Sequence, residues 1–147
     1  EFVLMDFGAT YDGWHSDMTR TVCVGKPSDK MKSVYETVLT AQLSALDAVK
    51  AGMPGKALDK IARDIITEAG YGDNFGHSLG HGVGVEIHES PYASPSREDI
   101  LPENSIVTVE PGIYLEGKFG VRIEDFVVVT ENGCINMTKA PKELICL

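Results

Sequence analysis

Residues 105–130, SIVTVEPGIYLEGKFGVRIEDFVVVT, decide the fold of this chain. Two runs rich in β-branched and aromatic residues, Ser105 to Tyr114 and Phe119 to Thr130, flank a polar turn at Glu116-Gly117-Lys118, which is typical of a β-hairpin. Opposed residues of an antiparallel hairpin keep a fixed register, so a turn centred on Gly117 sets Glu110 against Glu124. Their Cβ atoms are then expected about 4.5–5.5 Å apart.

A second hairpin is predicted at the start of the chain. The runs Phe2 to Phe7 and Ser16 to Val24 are β-rich, and the Asp12-Gly13 pair between them is a turn signal. A turn centred near Tyr11 and Asp12 would set Asp6 against Asp17. Each of the two hairpins thus places two acidic residues opposite each other.

Two amphipathic helices separate the hairpins. Ser28 is a good N-cap, and apolar residues recur at helical spacing from Asp29 to Lys50, until Gly52 provides a stop. A second apolar stripe follows Pro54 and is closed by Gly70. With no linker or low-complexity tract in between, the pattern predicts one α+β domain in which helices cover one face of a curved antiparallel sheet.

The paired acids indicate a cation site. Like charges opposed on a sheet destabilise it, and burial raises that cost unless the carboxylates are protonated or bind cations. The neighbours of Glu110 and Glu124 are mostly apolar, which predicts buried positions for the acids, and Arg122 alone cannot neutralise four of them. Any single acid could instead be a surface residue of a half-exposed strand.

Three of the four histidines, His77, His81 and His88, lie in a glycine-rich segment after the second helix. A dinucleotide-binding fingerprint would need glycine at Val85, and an HExxH zinc motif would need histidine at Tyr92, so both motifs are excluded. Glycine allows close backbone approach, so His81 can be presented from a tightly packed extended segment. Four carboxylates and one imidazole have the composition of a hard-cation site with one nitrogen donor.

Composition excludes some classes of partner. The formal net charge of −9 argues against binding nucleic acid or an anionic membrane, and two divalent ions would reduce it to −5. No window has the roughly 20 apolar residues of a membrane helix, so a cytoplasmic location is the default expectation. Three widely spaced cysteines, Cys23, Cys134 and Cys146, suggest reduced thiols, with neither a disulfide framework nor a cysteine zinc site.

Six segments span nearly the whole chain in order: Met5-Asp6-Phe7-Gly8, Ser16-Asp17-Met18-Thr19-Arg20-Thr21, His77-Ser78-Leu79-Gly80-His81-Gly82-Val83-Gly84, His88-Glu89, Val109-Glu110-Pro111-Gly112-Ile113-Tyr114 and Gly120-Val121-Arg122-Ile123-Glu124-Asp125. They resemble landmarks of the pita-bread metallopeptidases. This family includes methionine aminopeptidase, aminopeptidase P and prolidase, and the resemblance implies the same fold.

The resemblance implies a role for each matching residue. Asp6 would chelate one metal ion, Asp17 and Glu124 would bridge two, and His81 with Glu110 would complete the second site. Glu110 would also move the proton in catalysis, while His77 and His88 would contact the substrate carbonyl and stabilise the tetrahedral intermediate. Arg122 would support the site or anchor the substrate, or form an ordinary strand salt bridge. Thr19 and Thr108 are candidates for orienting Asp17 and Glu110.

The segment from Gly120 to Asp125 looks like the proline-directed branch, because methionine aminopeptidases usually carry a histidine soon after the last glutamate. The implied reaction is hydrolysis of the bond between an N-terminal residue and proline, in a dipeptide or a longer peptide, with two divalent ions. Mn²⁺ is favoured, and Co²⁺, Zn²⁺ or Fe²⁺ would also suit the ligands. A non-enzymatic relative that binds proteins and a metal-free hydrolase of the creatinase type are the alternatives.

The family's catalytic domain normally begins with helices and a loop before the first metal-binding strand. Glu1 opens directly on a strand-like run. Residues 1–147 are therefore expected to be the C-terminal portion of a single metallopeptidase catalytic domain, incomplete at its N-terminal side. Uncovered apolar surface would follow, so the isolated chain is expected to self-associate or to be marginally stable. A homo-oligomeric protein is also expected.

Overall fold

A computed structural model describes all 147 residues. The chain has eleven strands, two α-helices and one short 3₁₀-helix at Gly72–Asn74. In chain order the elements are β1 (Phe2–Phe7), β2 (Thr10–Tyr11), β3 (Trp14–His15), β4 (Met18–Cys23), α1 (Asp29–Ala48), α2 (Gly55–Glu68), β5 (Gly80–Gly82), β6 (Glu89–Ala93), β7 (Ile106–Val109), β8 (Gly112–Leu115), β9 (Phe119–Arg122), β10 (Asp125–Thr130) and β11 (Gly133–Asn136).

Both helices occur where the apolar periodicity predicts them. The hydroxyl of Ser28 accepts a hydrogen bond from the backbone N–H of Met31 at 3.2 Å and caps the start of α1. Helix α1 ends two residues before the predicted boundary, and Gly52 follows with φ +78°. Gly70, at φ +85°, follows α2, as expected for a glycine that ends a helix in the left-handed conformation.

The strands form one five-stranded sheet and three two-stranded ribbons. The sheet order is β11-β10-β7-β5-β6, the ribbons are β1-β4, β2-β3 and β8-β9, and all of these pairings are antiparallel. One core of 20 buried apolar residues joins the helices to the strands, for example Val38 and Leu58 to Val107 and Val127. The predicted α+β class with an antiparallel sheet is confirmed.

The register predicted for the second hairpin is correct. Gly112 pairs with Arg122 and Val109 with Asp125, so Glu110 and Glu124 are opposite each other between these two pairs. The hairpin is split there, because β7 ends and β8 begins around Glu110 and Pro111. Proline has no N–H to donate to a sheet. The two acids therefore lie in a gap between two stretches of regular sheet.

The register predicted for the first hairpin is wrong by two residues. Asp6 pairs with Thr19 rather than with Asp17. The turn is a two-residue turn at Asp12 and Gly13, whose φ angles of +50° and +82° match the twist of the flanking strands. A shift of two residues keeps every side chain on its face of the ribbon. Asp17 is thus a diagonal neighbour of Asp6 on the same face.

Two further expectations concern the cysteines and membrane insertion. Cys23, Cys134 and Cys146 are all free thiols, of which Cys23 is buried and Cys146 exposed. Neither helix has both the length and the apolar content that a membrane span requires.

Candidate metal centre

The five side chains expected to bind metal come together in the structure. Their candidate ligand atoms form overlapping groups in which all atoms lie within 4.8 Å of one another. These groups are Asp6 with Asp17 and Glu124, His81 with Glu110 and Glu124, and Asp17 with His81 and His88. The arrangement provides two adjacent places for a cation, which share carboxylates.

Separate parts of the fold contribute these residues. Asp6 lies in β1, Asp17 directly precedes β4, and His81 is the central residue of the short strand β5. Glu110 and Glu124 occupy the gap in the second hairpin. Because β5 pairs with β7 through Gly82 and Val107, the histidine is held beside the strand that leads to Glu110.

His81 is oriented with one nitrogen towards the carboxylates. Its Nδ1 lies 3.0 Å from the carbonyl oxygen of Gly82, and since a carbonyl only accepts, Nδ1 carries the proton. Nε2 lies 3.1 Å from Glu110 Oε1 and 3.8 Å from Asp17 Oδ2. Burial lowers the pKa of His81, but the hydrogen bonds to Glu110 and Gly82 outweigh it and raise the pKa above its usual value. This tautomer leaves Nε2 as the atom for an ion.

Glu124 is the most strongly perturbed carboxylate of the chain. It is 2% exposed, and burial, followed by the charge of Glu110, raises its pKa to about 8. Burial also raises the pKa of Asp17, with further increases from Asp6 and Glu110. A divalent cation opposes both shifts, because it stabilises the charged form of each carboxylate.

Two threonines hold the carboxylates in place. The hydroxyl of Thr108 donates to Glu110 Oε1 at 2.9 Å and accepts from the backbone N–H of His81 at 3.0 Å. The hydroxyl of Thr19 donates to Glu124 Oε2 at 2.5 Å. Thr108 thus orients Glu110 as predicted, whereas Thr19 bonds to Glu124 rather than to Asp17.

Asp6 differs from the expectation that all four acids are buried. Its side chain is 53% exposed on the two-stranded ribbon of β1 and β4. Arg122 Nη2 contacts Asp6 Oδ2 at 2.5 Å, whereas Arg122 Nε is 3.9 Å from Glu124 Oε2. The guanidinium therefore forms its close ion pair with Asp6, and the buried acids keep most of their mutual repulsion.

A cavity of about 280 Å³ adjoins the centre. His88 is exposed, and its ring centroid lies 4.2 Å from that of His81. His77 Nδ1 donates to the carbonyl of Ser78 at 2.8 Å, and its Nε2 lies 2.8 Å from the hydroxyl of Tyr114. The wall of the cavity includes His77, His81, His88, Tyr92, Glu110 and Arg122.

The sequence reasoning gave no role to Tyr114. Its hydroxyl accepts from Arg122 Nη1 at 3.2 Å and contacts His77, so it links two of the predicted substrate-binding residues. The signal was available, because Glu110, Gly112 and Tyr114 alternate and residues two apart share a face of a strand. In the sequence, Tyr114 is marked only as part of a motif, because its partners His77 and Arg122 lie 37 and 8 positions away.

The donor set fits divalent cations. Its carboxylate oxygens and one imidazole nitrogen suit Mn²⁺ and related ions, and its buried like charges are stable only when protonated or paired with cations. The assignment of individual ligands to each ion is a prediction.

Comparison with known proteins places this geometry in a family. The profile of metallopeptidase family M24 matches residues 1–131. An Xaa-Pro dipeptidase of Pyrococcus furiosus is 53% identical over 145 residues, which are 99% of this chain and 42% of the relative. An uncharacterized peptidase of Bacillus subtilis is also 53% identical, over 100% of this chain and 42% of its own length. The chain thus spans about two fifths of these curated relatives.

Solved structures show the same relationship. An Xaa-Pro dipeptidase from Bacillus anthracis superposes with a TM-score of 0.98 at 54% identity, covering 99% of this chain and 41% of that one. An X-Pro aminopeptidase from Thermotoga maritima superposes with a TM-score of 0.96 at 53% identity, over 99% and 41%. The pita-bread fold expected from the sequence is thereby confirmed. With the family profile, these matches show that the chain belongs to metallopeptidase family M24.

Proposed function

We propose that the protein hydrolyses the peptide bond between an N-terminal residue and a following proline, with two divalent metal ions. The observation that carries this proposal is the convergence of four carboxylates and one imidazole. They form overlapping groups, and within each group the candidate ligand atoms all lie within 4.8 Å of one another. Relatives about 50% identical are named as Xaa-Pro dipeptidases. Because the chain spans 42% of such a relative, the activity is proposed for the whole protein.

Two of the five residues would be shared by the two ions. Asp6, Asp17 and Glu124 would hold one ion, and His81 with Glu110 would complete the other, with Asp17 and Glu124 shared. When bound, two such ions supply a water of lowered pKa and polarise the scissile carbonyl. Mn²⁺ is favoured, and Co²⁺, Zn²⁺ and Fe²⁺ suit the same donors.

Glu110 is the residue proposed to move the proton. It lines the cavity, and the hydroxyl of Thr108 fixes one carboxylate oxygen at 2.9 Å. A carboxylate held in this way can take a proton from the attacking water and deliver it to the leaving proline nitrogen. The contact of Glu110 with His81 at 3.1 Å keeps it at the centre.

The cavity wall offers groups for the substrate carbonyl. His88 is exposed beside His81, so its ring can donate to the oxyanion of the tetrahedral intermediate. His77 has protein partners at both nitrogens, Ser78 and Tyr114. We therefore propose that His88 donates directly, and that His77 acts from the cavity wall where its bond to Tyr114 holds it. Arg122 would anchor the substrate from the same wall.

The length of the substrate is open between two possibilities. The similar structures include both an Xaa-Pro dipeptidase and an X-Pro aminopeptidase. A small peptide with proline at its second position would be a substrate for either kind of enzyme. Neither nucleic acid nor a membrane surface is an expected partner of so acidic a chain. The cytoplasmic location and the homo-oligomeric state stay predictions from the sequence.

An assay of the full-length protein tests the proposal. Xaa-Pro dipeptides and longer Xaa-Pro peptides would be offered with Mn²⁺ and after removal of metal by a chelator. Cleavage is expected only with metal, and Asp17→Asn should abolish it because the amide cannot bridge two cations. The matched control is Asp64→Asn, which changes an exposed residue paired only with Lys60 and should leave activity unchanged.

The outcome also separates the two alternatives. A metal-free hydrolase of the creatinase type would keep its activity with the chelator. A non-enzymatic binding protein would cleave neither class of peptide in the presence of Mn²⁺. Either result would contradict the proposal.

A further inference from the structure

Arg20 and Asp125 form a buried ion pair next to the candidate metal centre, and neither is a candidate ligand. Arg20 Nη2 lies 2.7 Å from Asp125 Oδ1, and the two side chains are 7% and 0% exposed. Asp125 directly follows Glu124, and Arg20 directly follows Thr19, whose hydroxyl bonds to the Glu124 carboxylate. The pair thus connects the two backbone segments that carry this contact.

All five N–H groups of Arg20 are used. Nη1 donates to the carbonyl oxygens of Thr19 at 2.8 Å and Glu124 at 2.7 Å. Nη2 donates to Asp125 and, at 2.9 Å, to the carbonyl of Ala140, while Nε donates to the carbonyl of Pro141 at 2.9 Å. One guanidinium therefore joins β4, the Glu124 segment and the C-terminal segment.

Asp125 fixes the guanidinium from the other side. Its Oδ2 accepts from Gln42 Nε2 at 3.1 Å, from Asn136 Nδ2 at 2.6 Å and from Lys142 Nζ at 2.5 Å. These partners come from α1, from β11 and from the C-terminal segment. The carboxylate has two cationic partners and is tied to three other parts of the fold.

Few other hydrogen bonds hold Glu124 in place. Its backbone pairs with β4 through one isolated bridge to Thr19, in which the Glu124 N–H donates to the Thr19 carbonyl at 3.1 Å. Two residues earlier, the Thr21 hydroxyl bonds to the backbone N–H and carbonyl of Arg122. Regular pairing on the Glu124 strand stops at Arg122 and resumes at Asp125. Arg20 Nη1 contacts the carbonyls of both bridge residues and thereby supplies the link that the interrupted ladder lacks.

We propose that Arg20 and Asp125 are positioning residues, which hold the Glu124 carboxylate where it can be shared by two metal ions. This inference rests on the two-ion site of the proposed function. The pair acts through the backbone of Thr19 and Glu124 and does not touch an ion. Its loss should therefore weaken the shared site before it unfolds the chain.

The test is a Mn²⁺ titration of the full-length protein by calorimetry, together with electron paramagnetic resonance. Arg20→Lys keeps the charge beside Asp125 but cannot replace five donors in one plane. We expect it to bind the weaker of the two ions about 10–100-fold less tightly, as for other residues that support ligands. The spectrum of two exchange-coupled Mn²⁺ ions should be lost, whereas the circular dichroism spectrum is retained.

Two further variants keep the test decisive. Asp125→Asn removes the charge that fixes Arg20 and should weaken the same ion, which gives a second route should Arg20→Lys fail to fold. Val38→Ala is the control, because Val38 is a fully buried apolar residue of α1 and takes no part in the hydrogen bonds of Arg20 or Asp125. It should lower the melting temperature yet keep both ions and the coupled spectrum.

The possible results distinguish this inference from the proposed function. Wild-type affinities and a coupled spectrum in folded Arg20→Lys and Asp125→Asn would overturn the positioning role alone. An equal loss of ions in Val38→Ala would overturn it too, since general destabilisation would then explain the effect. A wild-type protein that binds fewer than two ions would overturn both, and one that binds two but cleaves no Xaa-Pro peptide would overturn only the function.

Discussion

Glu124 shows how a single buried residue makes this centre depend on cations. Burial and the nearby Glu110 raise its pKa to about 8, from 4.5 in an unfolded chain. Without metal, and between pH 4.5 and about pH 8, Glu124 therefore keeps its proton in the folded chain but has lost it in the unfolded chain. The contribution of this proton to stability is complete below pH 4.5 and is lost as the pH rises to about 8.

Metal binding should release this proton. At pH 6, uptake of Mn²⁺ should release about one proton per chain from Glu124 and a further proton from His81, whose raised pKa keeps the ring protonated there, and the release should fall towards zero above pH 9. Apparent affinity should increase over the same interval. Calorimetry in buffers of different ionisation enthalpy measures the number of protons, and a release of one proton or fewer at pH 6 would contradict the pKa assigned to Glu124.

Motifs were sufficient to predict which acids and which histidine lie together, and strand register added the opposition of Glu110 and Glu124. The partners of Arg20 could not be predicted in the same way. Its guanidinium bonds to residues more than 100 positions away, such as Glu124 and Pro141, and no local pattern encodes contacts at that separation. The same limit applies to the bond between Arg122 and Asp6.

At the scale of elements, the centre depends on the short strand β5. A Cβ atom at Gly80 would lie 2.0 Å from the carbonyl oxygen of Thr108. Thr108 orients both Glu110 and the backbone of His81. The strand can present His81 to the carboxylates only because glycine precedes it.

Gly80→Ala should therefore damage the centre as well as the fold. The methyl group must displace backbone, which should destabilise the chain by about 1–3 kcal/mol and weaken binding of the ion held by His81 and Glu110. Thermal melting and a Mn²⁺ titration measure the two effects. Gly76→Ala is the control, because no atom lies within 4 Å of its Cβ position, and identical behaviour of the two variants would refute the close-approach argument.

The two hairpins show what sequence can and cannot establish about register. In the second hairpin the polar turn around Gly117 gave the correct pairing. In the first hairpin, the turn lies at Asp12 and Gly13, one residue later than the predicted centre near Tyr11 and Asp12. Each residue of β1 therefore pairs two positions further along the chain than predicted. The error left the metal prediction intact, because an even shift keeps Asp6 and Asp17 on one face.

At the scale of the whole molecule, the chain exposes an apolar strip along β1. Val3, Met5 and Phe7 alternate on one face of the strand and are 40%, 37% and 54% exposed. Alternating apolar residues on an edge ribbon favour association through that face. The 147-residue chain alone is therefore expected to self-associate or to be marginally stable.

Light scattering and thermal melting test this expectation. The 147-residue chain should show species larger than 15.9 kDa, and replacing Phe7 with serine should reduce their fraction. The control is Ile135→Ser, a similarly exposed residue on β11 at the far edge of the five-stranded sheet. A monodisperse monomer with a cooperative, high-temperature transition would contradict the expectation.

The central claim is that five side chains from separate elements hold two cations in one acidic centre. Anomalous diffraction at the manganese edge, from crystals of the full-length protein grown with Mn²⁺, tests this most directly. Two adjacent peaks are expected, one for an ion bound by Asp6 and one for an ion bound by His81 and Glu110, with Asp17 and Glu124 bound to both ions. A single peak, no peak, or peaks away from these carboxylates would contradict it.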